Sequence, residues 1–237
     1  MKITEKYYIN SISYAQCKEW LLYKHYAKRM SLITYSFGLY DDRHILQGVC
    51  TFGLASPKIN GGKSIFKNYR CTVIELNRLV VNDNLKKNTL SYFVSSCLKS
   101  LPKNICVISF ADPSNGHNGY IYQATNFIYT GLSEKGGKMK DYILNNKNYH
   151  SLTVSEKMIK EISGKYNSDL SLDENWLKIG GSINNFERKH RYIKILFPKK
   201  IKKNMLKDLK NSSLPYPKGN NKRYDSSYKT LTQTKLF

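Results

Sequence analysis

The sequence predicts an α/β (α+β) fold, a mixed β-sheet flanked by helices. Two observations carry this. From Cys71 to Thr130 the hydrophobic pattern alternates strand, helix, strand, helix, strand, and a β-hairpin pattern precedes that run. There is no internal repeat and no heptad pattern.

The elements follow in order. Ser13-Tyr-Ala-Gln16 is a capping box that opens a helix through Trp20 and Leu21 to about Tyr26. Leu32–Tyr40 is aromatic and β-branched, hence a strand; Asp41-Asp-Arg-His44 turns the chain, and Ile45–Leu54 returns as its partner. After a Gly/Lys-rich loop, Cys71–Val81 reads as a long, mostly buried strand. Thr89–Leu101 is helical, with Leu90, Phe93, Val94, Cys97 and Leu98 on one face, and stops before Pro102. Ile105–Phe110 is a short continuous apolar run, the mark of a central strand. Gly119–Asn126 reads as a short helix and Phe127–Thr130 as the start of a strand. Thr153-Val-Ser-Glu156 is a second capping box, for a helix that Gly164 closes. Asn211–Tyr224 is rich in turn formers and aperiodic, and is expected to form an extended arm.

At 237 residues with 41% hydrophobic and 13% aromatic content, the chain has enough apolar surface for a packed core. No apolar run is long enough for a membrane span, and the N-terminus lacks the apolar stretch of a secretion signal. Five scattered cysteines without a Cys-x-x-Cys pair argue against a zinc knuckle or a disulfide framework, so a reducing cytoplasm is the expected setting.

The net charge is +22, with 39 Lys and Arg against 17 Asp and Glu. A field of that sign attracts polyanions. Fifteen of the cations, against three acids, fall between Phe186 and Phe237, interleaved with Tyr192, Tyr216, Tyr224 and Tyr228. Cations for phosphates beside rings for exposed bases are the composition of a nucleic-acid surface. Arg188, Lys189, Arg191, Lys199, Lys200, Lys202, Lys203, Lys222 and Arg223 are the candidate contacts. A solvated tail of biased composition is the bland alternative.

Three segments could hold chemistry. Asp112 stands at the C-terminal end of the Ile105–Phe110 strand, where sites of open α/β sheets lie, and is followed by His117, Gly119, Tyr122 and Tyr129. Asp112 is a candidate general base or hard metal ligand, though Asp112-Pro-Ser-Asn-Gly is equally a good turn, and the tyrosines can simply be half-buried rings. Glu75 and Arg78 lie inside an apolar strand and must be paired or face a cleft. Simple alternation puts Glu75 on one face and Arg78 on the other. His25, in Lys24-His-Tyr-Ala-Lys-Arg29, is a ligand candidate or an ordinary surface histidine. Gly-x-Gly-x-x-Gly, His-Glu-x-x-His and Gly-x-Ser-x-Gly are absent, and Gly131–Lys138 only brushes against a phosphate loop.

Taken in order, His25-Tyr26, Phe37-Gly-Leu-Tyr40, Gln47-Gly-Val49, Glu75-Leu-Asn-Arg-Leu79, Asn88-Thr-Leu-Ser91, Ser109-Phe-Ala-Asp112, Gly116-His-Asn-Gly-Tyr-Ile-Tyr122 and Tyr129-Thr-Gly131 resemble the phage Mom DNA-modification proteins. These are distant members of the GNAT-type N-acetyltransferase fold. The resemblance spans about residues 20 to 131 and returns at Arg188-Lys-His-Arg-Tyr192. It implies an acetyltransferase-like catalytic domain over residues 1–200, with a basic, Tyr-containing arm over 201–237. It further implies a transferase-type enzyme that places a carbamoylmethyl-type group on adenine N6 in double-stranded DNA, shielding phage DNA from restriction in the host cytoplasm.

By motif position, the resemblance implies His25, Asp112 and Tyr122 as the metal set, for iron, or the catalytic set, with Tyr26 beside them and Arg78 and Ser91 bounding the pocket; Asp112, Tyr122, Tyr26, Arg78 and Ser91 are the catalytic candidates. An acyl-CoA (acetyl-CoA) donor is implied too, but the Gly-rich loop of ordinary acetyltransferases is missing from Val81–Ser91. Lys86, Lys87, Asn88 and Ser91, at the start of the Thr89 helix, are left to hold phosphates, with glycine or another small donor as the alternative. Two other classes compete: an acyl-CoA-dependent N-acetyltransferase acting on a protein or small-molecule amine, and a non-catalytic nucleic-acid-binding protein.

Overall fold

The computed structural model describes residues 3–83, 85–133, 140–151, 153–185 and 187–219. A short helix α1 (Ile3–Lys6) leads into strand β1 (Tyr7–Ser11). Helix α2 (Tyr14–Glu19) begins at the expected capping box: the Ser13 hydroxyl accepts from Gln16 N, and the Gln16 side chain accepts from Ser13 N. It widens into a π-helical turn over Trp20–Lys24 that stops at His25, where the backbone becomes extended. The hairpin is β2 (Tyr35–Asp41) and β3 (Leu46–Leu54), turned by Asp41, whose carboxylate accepts from Arg43 N, Ile45 N and the Gln47 side chain. Then come β4 (Thr72–Val81), α3 (Thr89–Ser100), β5 (Ile105–Ala111), α4 (Tyr120–Ala124) and β6 (Ile128–Leu132).

The main sheet has the order β1-β2-β3-β4-β5-β10-β6, where β10 is His190–Leu196. Only β4 and β5 are parallel; the other neighbours run antiparallel, so the expected mixed α/β sheet is observed. Phe93, Val94, Cys97 and Leu98 of α3 pack against Phe52, Leu76 and Val107 on one side of it. On the other, Ile65, Phe66, Val73, Cys106, Ile193 and Ile195 form a second core.

Two elements correct the sequence reading. The basic run after Phe186 contains β10, a central strand, because Arg191, Tyr192, Ile193 and Ile195 are all buried. Its cations are tolerated there because they find partners: Arg191 donates to the Thr130 hydroxyl and carbonyl, and Lys194 to the carbonyls of Thr125 and Asn126. Nor is the segment after residue 200 a loose arm within the described residues. Helix α7 (Lys199–Lys207) buries Met205, Leu209 joins the second core, and the Asp208 carboxylate accepts from the backbones of Asn68 and Tyr69. Beyond it, Leu214 N donates to Tyr129 O and the Tyr216 hydroxyl to Phe127 O.

Between β6 and β10 lies a separate three-stranded sheet, β8-β7-β9, formed by β7 (Lys140–Leu144), β8 (Lys147–His150) and β9 (Ser182–Asn185). Helices α5 (Glu156–Ser163) and α6 (Leu172–Lys178) cover it around a buried Trp176. The N-cap of α5 is Ser155, two residues past the expected box; the Thr153 hydroxyl instead donates to His150 O. No helix among the described residues is long and apolar enough to cross a membrane.

Candidate active site

The site forms where β4 and β5 part. Their parallel pairing runs from Thr72↔Ile105 to Glu75↔Ile108, while β4 continues along β3 to Val81 and β5 along β10 to Ala111. A bulge at Asn77 begins the divergence: Phe52 faces Leu76, and Thr51 faces Arg78. Gly53 and Thr51 are two apart on β3 and share a face, so their partners Glu75 and Arg78 share one as well. The single extra residue thus overturns the expected alternation. The Asn77 side chain holds the bulge open: it accepts from the Thr51 and Ser31 hydroxyls and donates to Leu32 O.

His25 and Tyr26 approach from the end of the π-helical turn. The two rings stack at 4.4 Å, and Tyr26 meets His117 edge-on at 5.5 Å. His117 follows Asp112 on the loop after β5, its N–H donating to Asp112 O. The imidazole from the N-terminal helix and the carboxylate from the central strand therefore belong to one cluster, through Tyr26 and His117. Asp112 has two duties. Its Oδ1 accepts from Ser114 N and caps the Pro113–Asn115 turn, as the turn reading anticipated, while Oδ2 pairs with Lys189 Nζ at 2.9 Å.

Lys189 and Arg191 were among the candidate nucleic-acid contacts. Lys189 instead sits in the cluster, where its charge acts on Tyr26, Glu75 and His150, and Arg191 is buried against Thr130. The apolar residues Tyr192, Ile193, Ile195 and Leu196 were the available signal for a strand here, masked by the charge.

The electrostatics follow from burial beside cations. His25 is 4% exposed, and burial, reinforced by Arg78, His117 and Arg29, holds its pKa down at about 3, so its imidazole is neutral. Burial raises the Glu75 carboxyl although Arg78 and Lys189 oppose the rise. It likewise raises the phenols of Tyr26 and Tyr122, and lowers Arg78 and His117. The Arg78 guanidinium donates from Nη1 to Asn77 O, while its buried Nε has no hydrogen-bond partner, a donor held ready for an incoming acceptor.

The implied iron set does not fit. His25 Nδ1 accepts from Ala27 N at 3.1 Å, so the neutral ring carries its proton on Nε2, the nitrogen that ligation would require bare. Asp112 is committed to Lys189 and Ser114. Tyr122 is buried in the core beneath the cluster. Among the described residues there is also no group of three His, Cys, Asp or Glu side chains placed to hold a metal.

The start of α3 is a second candidate feature, suited to an anion. Asn88 enters the helix left-handed, with φ 69°, and makes no side-chain cap, and the first turn holds no acid. Lys86 and Lys87 are exposed beside it, and the Thr89 hydroxyl is buried with no hydrogen-bond partner. Uncapped N–H groups, two ammonium groups and an orphan hydroxyl fit a phosphate. Ser91 lies in this same first turn, its hydroxyl donating to Asn88 O. Thr89 escaped the sequence reading because a threonine inside a helix pattern carries no signal of its unmet hydrogen bond.

Of the remaining candidates, Tyr129 is a core residue whose hydroxyl meets His190 Nδ1. Arg188 donates to the carbonyls of Ser133 and Leu132. Lys199, Lys200 and Lys203 are exposed on α7 and Lys202 is half-buried, whereas Lys222 and Arg223 lie outside the described residues.

Comparison with known proteins adds the family. Residues 6–218 match the model of the Mom protein family, and the chain belongs to it. It is 31% identical over 137 residues to the methylcarbamoylase mom of Escherichia phage Mu; the match covers 56% of this chain and spans about half, 55%, of that relative. Among solved structures, it is similar to a spermidine N-acetyltransferase from Vibrio cholerae in complex with CoA and spermine, at 8% identity and a TM-score of 0.44 over 81% of this chain and 96% of that one. A GNAT family N-acetyltransferase from Escherichia coli in complex with CoA gives 14% identity and a TM-score of 0.36 over 52% and 68%. Likenesses this distant carry no argument about activity.

Proposed function

We propose that this chain, a member of the Mom protein family, modifies adenine in duplex DNA, placing a carbamoylmethyl-type group on the exocyclic N6. The observation that supports it best is the convergence of His25, Tyr26, Glu75, Arg78, Asp112, His117 and Lys189 at the parting of β4 and β5.

Adenine N6 is a weak nucleophile because its lone pair is shared with the ring, so its attack must be coupled to loss of a proton. Glu75 is the proton acceptor: burial raises its basicity above that of an ordinary carboxylate. Arg78 Nε donates to an acceptor on the base or on the incoming group. His25 stays neutral and fixes the Tyr26 ring, which is 40% exposed and offers a stacking face to a base drawn out of the helix. Lys189 is a positioning residue: it holds Asp112, and Asp112 holds the loop that carries His117. Tyr122, its phenol raised by burial, keeps its proton and lies beneath the cluster beside Ser109.

An acyl-CoA donor, if used, would supply an activated thioester, and Lys86, Lys87, Thr89 and the α3 N-terminus would hold its phosphates. Lys199, Lys200, Lys202 and Lys203 are the phosphate contacts that would seat the duplex.

Mass spectrometry of nucleosides from the DNA of cells expressing the protein tests the reading. A modified adenosine, absent with Asp112→Ala, is expected. DNA that yields only unmodified adenosine from cells making folded protein would overturn it.

A further inference from the structure

On the closed side of the β4–β5 fork, Cys71 and Cys106 bring their Sγ atoms to 3.5 Å. We infer that these two thiols are a peroxide-sensitive pair that closes to a reversible disulfide. Three features of the geometry set them apart from Cys17, Cys50 and Cys97, which are all buried.

First, access is one-sided. Cys71 is half-exposed and lines an open depression with Leu54, Ser56, Gly61 and Thr72, whereas Cys106 is fully buried in the second core. An oxidant reaches one sulfur only, and the partner waits beneath it, the arrangement of an attacking and a resolving cysteine. Second, the contact is fixed by the sheet. Cys71 lies two residues before Val73, the register partner of Cys106, so the two are diagonal neighbours on one face of the sheet. Closing from 3.5 Å to a bonded sulfur distance asks for side-chain rotation together with a small shift of the chain at Cys71, which lies just outside the parallel pairing. Third, when Cys71 ionises, the Cys106 S–H donates to it; this lowers the Cys71 pKa and raises that of Cys106, so the exposed sulfur is the nucleophile.

The chemistry balances with hydrogen peroxide as oxidant. The Cys71 thiolate attacks one peroxide oxygen, the O–O bond breaks, and the departing hydroxide takes up a proton to become water. The Cys106 sulfur then attacks Cys71 sulfenic acid, the S–OH bond breaks, and hydroxide leaves with the proton that Cys106 gives up. Two thiols lose two electrons and two protons, and one peroxide becomes two waters. The bond would tie the chain one residue ahead of the Thr72↔Ile105 pair, at the closed end of the fork whose open end carries the site.

The full-length protein is treated with hydrogen peroxide, blocked with iodoacetamide, and analysed by intact mass and peptide mapping without reductant. The expected result is loss of two hydrogen masses, a cross-linked peptide pair containing Cys71 and Cys106, reversal by a phosphine reductant, and no cross-link in Cys71→Ser. The Cys106→Ala variant, with no resolving thiol, should accumulate oxygen on Cys71. Oxygen addition at Cys71 without cross-linking in the parent protein, a disulfide between other cysteines, or five alkylated thiols after peroxide exposure that oxidises a free-cysteine peptide would overturn the inference.

Discussion

His25→Gln removes a group whose ionisation burial strongly opposes, and its effect is legible in the pH dependence of stability. Burial holds the folded pKa of His25 at about 3, against an ordinary 6.5. As the pH falls below 6.5 the unfolded chain takes up a proton that the folded chain refuses. The stability tied to the neutral ring is therefore complete above 6.5 and is lost progressively between 6.5 and 3. The full interval is worth on the order of 5 kcal/mol, and the part reached at pH 5 about 2 kcal/mol. With a urea m-value of ~2–3 kcal/mol/M for a chain of this size, that is a drop of about 0.7–1 M in the unfolding midpoint.

Gln offers an oxygen to Ala27 N but does not titrate. Urea midpoints of parent and variant are compared at pH 7.5 and pH 5. His117, His150 and His190, also lowered by burial, titrate in both proteins and cancel. The parent should lose about 0.7–1 M more than the variant between the two pH values. Equal losses would refute the claim that His25 is held neutral in the cluster.

Three further outcomes follow. Thr89→Val removes a buried hydroxyl that has no partner, so thermal stability should hold or rise slightly in calorimetry, while affinity for CoA by titration falls about tenfold; equal affinity would remove Thr89 from a phosphate site. Lys189→Met should cut modified adenosine about 10–100-fold with salt-dependent DNA affinity little changed, and Lys189→Arg should restore part of it, whereas a phosphate contact would lose affinity instead. Arg191→Ala should destabilise by about 2–4 kcal/mol in urea unfolding because it opens a void and removes the donors to the buried Thr130 hydroxyl oxygen and carbonyl, while Lys200→Ala leaves stability within about 0.5 kcal/mol.

Local features were readable from sequence because local energetics fix them. The Ser13–Gln16 box, the hairpin about Asp41, the apolar face of α3 and the apolar run of β5 are consequences of capping, alternation and helical period within a few residues. Asp112 could be placed at a strand's C-terminal end for the same reason, and the ordered motifs located His25, Tyr26, Arg78 and Asp112 before their contacts were known.

What the sequence by itself determined is thus the mixed sheet, most of its strands, and the residues able to do chemistry. Tertiary structure alone decided how they combine. One bulged residue, Asn77, puts Glu75 and Arg78 on a common face, because register is a property of two paired strands. Insertion of β10 between β5 and β6 turns a run of cations into a core strand, with Lys189 delivered to Asp112 and Arg191 to Thr130, because a buried charge is defined by the partners that long-range packing supplies.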